Sequence, residues 1–295
     1  MKAFAPGIYP RSEALVQATR DLDRGRATLE DVERQRAADL AALVAAQTEA
    51  GLDLLTDGML GWQDLFRPLV ELSDGLETGA LTRFLDTNTF FRAPHATGSP
   101  RLSTTLGADV VAALDGPRLV TLPSPFAFGV VASLDPREVA ESILAPAIDA
   151  LDAELVVLSE PVLARRPDAD MAALDDSLTQ LRGGTPLVLQ LTFGDASPLL
   201  DRLADLPVDG IAVDFYSTPL EAVPQGCTKL LLAGVVDARS SAVEDPQLLA
   251  EFAARLRERA AGELALVPNG DLQFVAEPIA REKLAALGAA KELAA

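Results

Sequence analysis

Asp57, Glu160, Asp214 and Asp237 each close a short apolar run, in the contexts LLTDG, LSEP, VDFY and VVDAR. A carboxylate at the tip of a hydrophobic strand can take or give a proton or orient a substrate N–H. Tyr216, two residues beyond Asp214, adds a phenol that can donate one. Arg11, Arg67, Arg92 and Arg239 supply guanidinium groups able to clamp an anion. Tyr9, Asp64 and Asn269 add hydrogen-bonding groups, while Trp62 and Phe126 offer flat walls for a ring-bearing ligand. Carboxylates crowded on one rim raise one another's pKa unless cations pair with them, which would leave a general acid. The plainer alternative is that Asp57, Asp214 and Asp237 cap helices or tie down loops.

Other chemistries have thin support. The single His95 and single Cys227 fall short of the three or four donors of a zinc site, so zinc is not supported. A carboxylate-only magnesium or calcium site stays open, although no spaced loop motif asks for one. No serine sits in a Gly-x-Ser-x-Gly elbow. With 25 Lys and Arg against 44 Asp and Glu, the net charge of −19 argues against a nucleic-acid partner. One cysteine excludes an internal disulfide and fits a reducing compartment. The opening residues MKAFAPGIYPRS lack a signal-type apolar run, and no stretch is apolar for the roughly 18 residues that would span a membrane. The expectation is a cytoplasmic protein with a small-molecule ligand and no membrane partner.

The carboxylates share a face only if the strands that carry them are parallel. Strand-like runs occur at 3–8, 52–56, 118–122, 154–158, 187–192, 210–214, 229–236 and 263–267, with helical stretches between most of them. Thr28 with Asp31 forms a capping-box pattern before a long helix that Gly51 ends. Asp135-Pro136 and Asp245-Pro246 each place a capping carboxylate before a first-turn proline. The gap after 210–214 is short and leaves its helix open. Eight α/β repeats in 295 residues predict a single (β/α)8 TIM barrel over 1–295, with its site on the carboxyl rim. A doubly wound sheet is the alternative, weakened by the lack of a Gly-rich phosphate loop. Residues 74–117 break the rhythm, and a β-hairpin insertion around 78–102 is expected over the site. In it, 83–92 reads as a strand and 94–100 as turn-rich.

The chain resembles the cobalamin-independent methionine synthase family. The residues that carry the resemblance are the Pro-Arg-Ser turn, QTEAGLDLLTDG followed by WQDLF, FLDTNTFFRAP, LVTLPSP, LSEPVL, LQLTFGD, LLAGVVDARSS and LALVPNGDLQF. The resemblance implies (β/α)8 architecture and a methyltransferase role in methionine biosynthesis. It also implies a folate-type ligand, with its ring against Trp62 or Phe126 and its anionic tail on arginine. Catalytic members hold zinc through His and Cys after the fifth and last strands, where this chain has Gln190-Leu191-Thr192-Phe193 and Asn269-Gly270-Asp271. Met59, Ser159 and Tyr216 likewise stand where the family has Glu, Asp and His. The match is nearer to the family's zinc-free N-terminal barrel. That leaves two further readings, a non-catalytic accessory barrel serving a catalytic partner subunit and, more distantly, a metal-free enzyme like the uroporphyrinogen decarboxylases.

Overall fold

A computed structural model describes residues 1–84, 89–166 and 168–294. Its strands are β1 (Lys2–Ala3), β2 (Ser73–Arg83), β3 (Phe90–Leu102), β4 (Leu119–Pro123), β5 (Leu155–Glu160), β6 (Leu187–Leu191), β7 (Gly210–Asp214), β8 (Leu230–Val236) and β9 (Leu264–Pro268). The helices are α1 (Glu13–Asp23), α2 (Leu29–Glu49), α3 (Arg67–Glu71), α4 (Pro125–Ala132), α5 (Pro136–Val139), α6 (Ala145–Asp149), α7 (Met171–Thr179), α8 (Leu200–Ala204), α9 (Pro246–Arg257) and α10 (Glu277–Leu293).

Seven strands pair in parallel in the order β1-β9-β8-β7-β6-β5-β4. Segment 52–56 is the eighth stave and closes the ring. The Asp53 N–H donates to the Ala3 carbonyl (2.9 Å), and Leu55 exchanges backbone bonds with Pro117 and Leu119 (2.9 Å each). The result is a (β/α)8 barrel. Gln47, wholly buried on α2, holds this stave from outside. Its amide donates to the Thr56 carbonyl (2.9 Å) and accepts from the Thr56 N–H (3.0 Å).

Side chains alternate across the wall. Phe4, Leu54, Leu119, Val157, Val188 and Leu232 fill the barrel. Their strand neighbours, such as Leu122, Leu158, Leu189 and Leu231, pack against the helices. No described helix is long and apolar enough to cross a membrane.

The expected caps are present. Thr28 and Asp31 bond reciprocally (2.9 and 3.2 Å), and Asp135 and Asp245 accept the N–H groups of Arg137 and Gln247 (2.9 Å each). Gly51 turns the chain at φ +67°.

Two local expectations need correction. The first strand is Lys2–Ala3, extended only by the Phe4 N–H bonding Leu266, because Pro6 lacks a donor and Gly7 turns at φ +92°. The insertion is longer than 78–102 and pairs differently. β2 and β3 form an antiparallel pair in which Arg83 opposes Phe90, so 83–92 spans the hairpin's end rather than one strand. Residues 85–88 of that stretch lie outside the described residues. The span 94–100 is strand, its prolines accommodated in a two-stranded ribbon with register shifts.

Gln47→Leu preserves shape but strips both Thr56 backbone groups of their partner. It should lower the unfolding free energy by about 2–4 kcal/mol in urea titrations. Glu49→Gln, on the exposed side of α2, should stay within about 0.5 kcal/mol.

Candidate functional site

The inward positions of the strands change from aliphatic to polar at their carboxyl ends. Leu119 is followed two residues on by Thr121, Val157 by Ser159, Val188 by Gln190, Ala212 by Asp214 and Val267 by Asn269. Ser159 and Gln190 are register partners, and Thr192 lies one inward step beyond Gln190. These residues are all at least 96% buried.

Some of them are fully engaged. Thr121 Oγ1 accepts the Gly7 N–H (2.9 Å). The Asn269 amide joins two carboxylates, donating to Asp214 Oδ1 (3.1 Å) and Asp237 Oδ1 (3.4 Å) while its oxygen accepts the Ala238 N–H (2.9 Å). Gly234 makes room for it, since a Cβ there would lie 2.9 Å from the Asn269 Cα. Asp214 also accepts from the Tyr216 N–H and the Ser217 hydroxyl (2.9 Å each).

By contrast, the Gln190 amide and the Ser159 and Thr192 hydroxyls have no partner among the described residues, and their tips keep contact with solvent. Three unpaired polar groups at the mouth of an otherwise satisfied barrel are what a ligand's polar atoms would complete.

Beside them the backbone of Phe193 is left-handed at φ +52°, a conformation that costs an ordinary residue about 1–3 kcal/mol. Its ring fills the space that the absent side chain of Gly270 leaves, meets Phe274 edge-on at 5.4 Å, and carries the Arg239 guanidinium 4.4 Å above its centre. Arg239 makes no ion pair among the described residues.

On the outer side of the rim, Tyr216 donates to Glu244 Oε1 (3.0 Å), which also accepts the Asp237 N–H (2.8 Å). Buried Lys283 of α10 pairs with Glu244 at 2.9 Å. Burial and the Glu244 charge push the Tyr216 phenol up. Asp271 lies against Gly7, accepts from the Ile8 N–H (3.1 Å) and Gln273 (3.1 Å), and is pushed up by burial to about 6. With Phe84 and Phe90 at the hairpin's end it lines a small crevice, so the insertion does reach the rim.

Asp214, Tyr216, Asp237, Arg239 and Asn269 are therefore brought together. The other expected site residues are not, each for a local reason. Glu160 is wholly buried on the helix side of β5, because alternation puts Ser159, not Glu160, inside. It accepts from Ser124 and from the N–H groups of Val162 and Leu163 (2.8 Å each), and burial pushes its carboxyl up. Asp57 faces a side crevice with Arg36 and ties Met59 and Ala112 (2.9 Å each), and burial raises it too. Burial, not mutual repulsion, is the leading cause of these shifts.

Asp64 accepts the Phe66, Arg67 and Arg92 N–H groups (2.9, 2.9 and 3.3 Å) where the hairpin leaves α3. Arg67 pairs with Glu71 (2.7 Å), Arg92 bonds the Gly79 carbonyl (3.2 Å), and Arg11 bonds the Trp62 carbonyl. Trp62 and Phe126 are core residues, the indole N–H donating to Val110 (2.8 Å). Tyr9 is buried beside Glu277, which with burial raises its phenol. His95 lies on β3 opposite Glu77, and Cys227 is buried where it bridges to Ala260, ahead of β8. Ser159 and Gln190 were missed as site residues. Their signal is a lone polar residue two positions after an inward valine.

Comparison with known proteins gives the chain's relatives in sequence and in fold. The family model "Cobalamin-independent synthase, N-terminal domain" matches residues 138–261. The chain is 22% identical over 299 aligned positions to a methionine synthase from Sulfolobus acidocaldarius, covering 94% of this chain and 87% of that protein. The chain is similar to the cobalamin-independent methionine synthase family. A second relative, the 5-methyltetrahydropteroyltriglutamate–homocysteine methyltransferase of Streptomyces avermitilis, is 31% identical over 197 positions, 56% of this chain but only 25% of that protein. In fold, the chain superposes on a B12-independent methionine synthase from a Shewanella species, solved in complex with selenomethionine. The TM-score is 0.76 at 16% identity, over 90% of this chain and 89% of that one.

The raised Asp271 has a signed consequence. Its folded form holds a proton more tightly than the unfolded chain does, so its contribution is complete below about pH 4 and is lost as pH rises through about 6. Asp271→Asn should abolish that loss, about 3 kcal/mol at most. The difference in unfolding free energy between the two proteins, followed from pH 4 to 7, measures it.

Proposed function

We propose that this barrel takes part in methyl transfer, holding a folate-type carrier at the mouth formed by Ser159, Gln190, Thr192, Asp214 and Asn269. The observation that carries the reading is the set of unpaired, almost wholly buried polar groups on Ser159, Gln190 and Thr192 at the carboxyl ends of adjacent strands. A pterin edge alternates donors and acceptors, and a primary amide flanked by hydroxyls can match both. Asp214 is the carboxylate of this layer and would accept from a ring N–H or receive a proton from the methyl acceptor. Arg239, without an ion-pair partner among the described residues, is the cation available to an anionic tail.

Zinc, which the resemblance implies for catalytic members, does not fit this donor set. An amide and hydroxyls replace thiolate and imidazole, and no group of three or more His, Cys, Asp and Glu among the described residues could hold a metal ion. That donor set also favours a second reading, an accessory barrel that binds the carrier and leaves thiol activation to a catalytic subunit.

Calorimetric titration with methyltetrahydrofolate tests the binding. Gln190→Ala should weaken it by about tenfold or more, roughly 1.4 kcal/mol, with an unchanged melting temperature. Equal affinity in Gln190→Ala and Ser159→Ala would remove the mouth as the site. Transfer of a labelled methyl group to homocysteine by the protein alone decides between enzyme and accessory barrel.

A further inference from the structure

Every other strand-to-strand crossover of the barrel carries at least one α-helix, but the described part of the β7–β8 connection has only the single 3-10 turn Leu220–Ala222. Where that connection leaves β7, a groove of about 440 Å3 opens between the outer face of β8 and α9. Its apolar walls are Phe215, Tyr216, Val235, Val243, Leu248 and Phe252. The Phe215 and Phe252 rings lie 5.2 Å apart and tilted, and Tyr216, Val243 and Leu248 remain 53%, 40% and 62% exposed. A volume of this size holds a small organic molecule.

The groove's charge is one-sided. Asp237, Glu244 and Asp245 line it, and among the described residues no Lys or Arg does. Lys283 answers only Glu244, from beneath. Asp237 accepts from the Arg239 N–H (3.0 Å) and Asn269, and Asp245 from the Gln247 N–H (2.9 Å), so amides are their partners and neither has a compensating cation among the described residues. An anion entering here would meet uncompensated carboxylates. A cation would meet them together with aromatic faces, the combination that attracts ammonium groups.

We propose that this groove is a second binding site, for a small organic cation carrying an apolar body, of the alkylammonium class. The apolar part would lie against Phe215, Leu248 and Phe252, and the charged head would face Asp237 and Asp245. The site differs from the barrel mouth in both face and charge preference, and the two would be occupied independently.

The test is titration of the full chain with benzyltrimethylammonium, benzyl alcohol and benzoate, followed by calorimetry. The cation should bind about tenfold or more tighter than the alcohol, lose affinity as salt is raised, and outcompete benzoate entirely. Leu248→Lys places an ammonium on an exposed lip of the groove. It should weaken the cation about tenfold with an unchanged melting temperature, whereas Gln190→Ala should leave the cation's affinity untouched. Equal binding of the alcohol and the cation, or unchanged cation affinity in Leu248→Lys, would overturn the proposal. So would sedimentation showing that the face is covered by a second copy of this chain, released by Leu248→Lys and indifferent to the cation.

Discussion

Eight parallel strands closed into a ring leave the backbone no freedom to exchange its faces. A slip of one residue in any strand would turn its interior set toward the helices and its helix-facing set into the barrel. That constraint decides which side chains can meet at the mouth. Val157 and Val188 belong to the filled interior, so Ser159 and Gln190 must point the same way one step higher. Glu160, one position further along, must point out, and it is held there by Ser124 and two backbone N–H groups. A carboxylate at the end of a strand is thus a mouth residue or an anchor according to the parity of its position.

Electrostatics then divides the chain's many acids by partner rather than by location. Asp214 and Asp237 are bridged by a neutral amide from Asn269, which orients both without neutralising either. Glu244 instead has the buried ammonium of Lys283, a pair whose desolvation must be offset by good geometry. Glu244 meets that condition by also accepting from Tyr216 and the Asp237 N–H, so one buried ion pair positions the loop that ends β8. Most of the expected arginine clamps are absorbed by architecture. Arg11, Arg67 and Arg92 satisfy carbonyls or an exposed Glu, and Arg239 alone of the four reaches the rim.

The frame was readable because it depends on local and periodic signals. Continuous apolar runs mark strands buried on both faces, and the caps at Thr28, Asp135 and Asp245 work within a single turn of chain. The short gap after 210–214 was also visible, and a helix is indeed missing there. The site was only partly readable. Asp214, Tyr216, Asp237, Arg239 and Asn269 converge because each follows a strand directly. Arg11 and Trp62 do not, because their partners lie across loops whose path no spacing encodes. The hairpin misled for a related reason: Pro94 and Pro100 suggest turns, but a ribbon free on both edges tolerates them.

The missing helix bears on how the barrel could carry more than one function. In a complete barrel the outer face of each strand is covered, and ligands are confined to the mouth. Here β8 presents Val235 outward and Phe215 and Phe252 pack beside it, at the base of a groove that no further described helix covers. The chain does not compensate with a larger side chain or a second layer; it leaves Tyr216 and Leu248 exposed at the edge. An uncovered apolar surface in water is unfavourable by about 25 cal/mol per Å2, so a fold that keeps one gains nothing in stability from it. Asp237 borders this groove and accepts from Asn269, whose amide stands between it and Asp214 of the mouth, so each face of the rim keeps a carboxylate of its own.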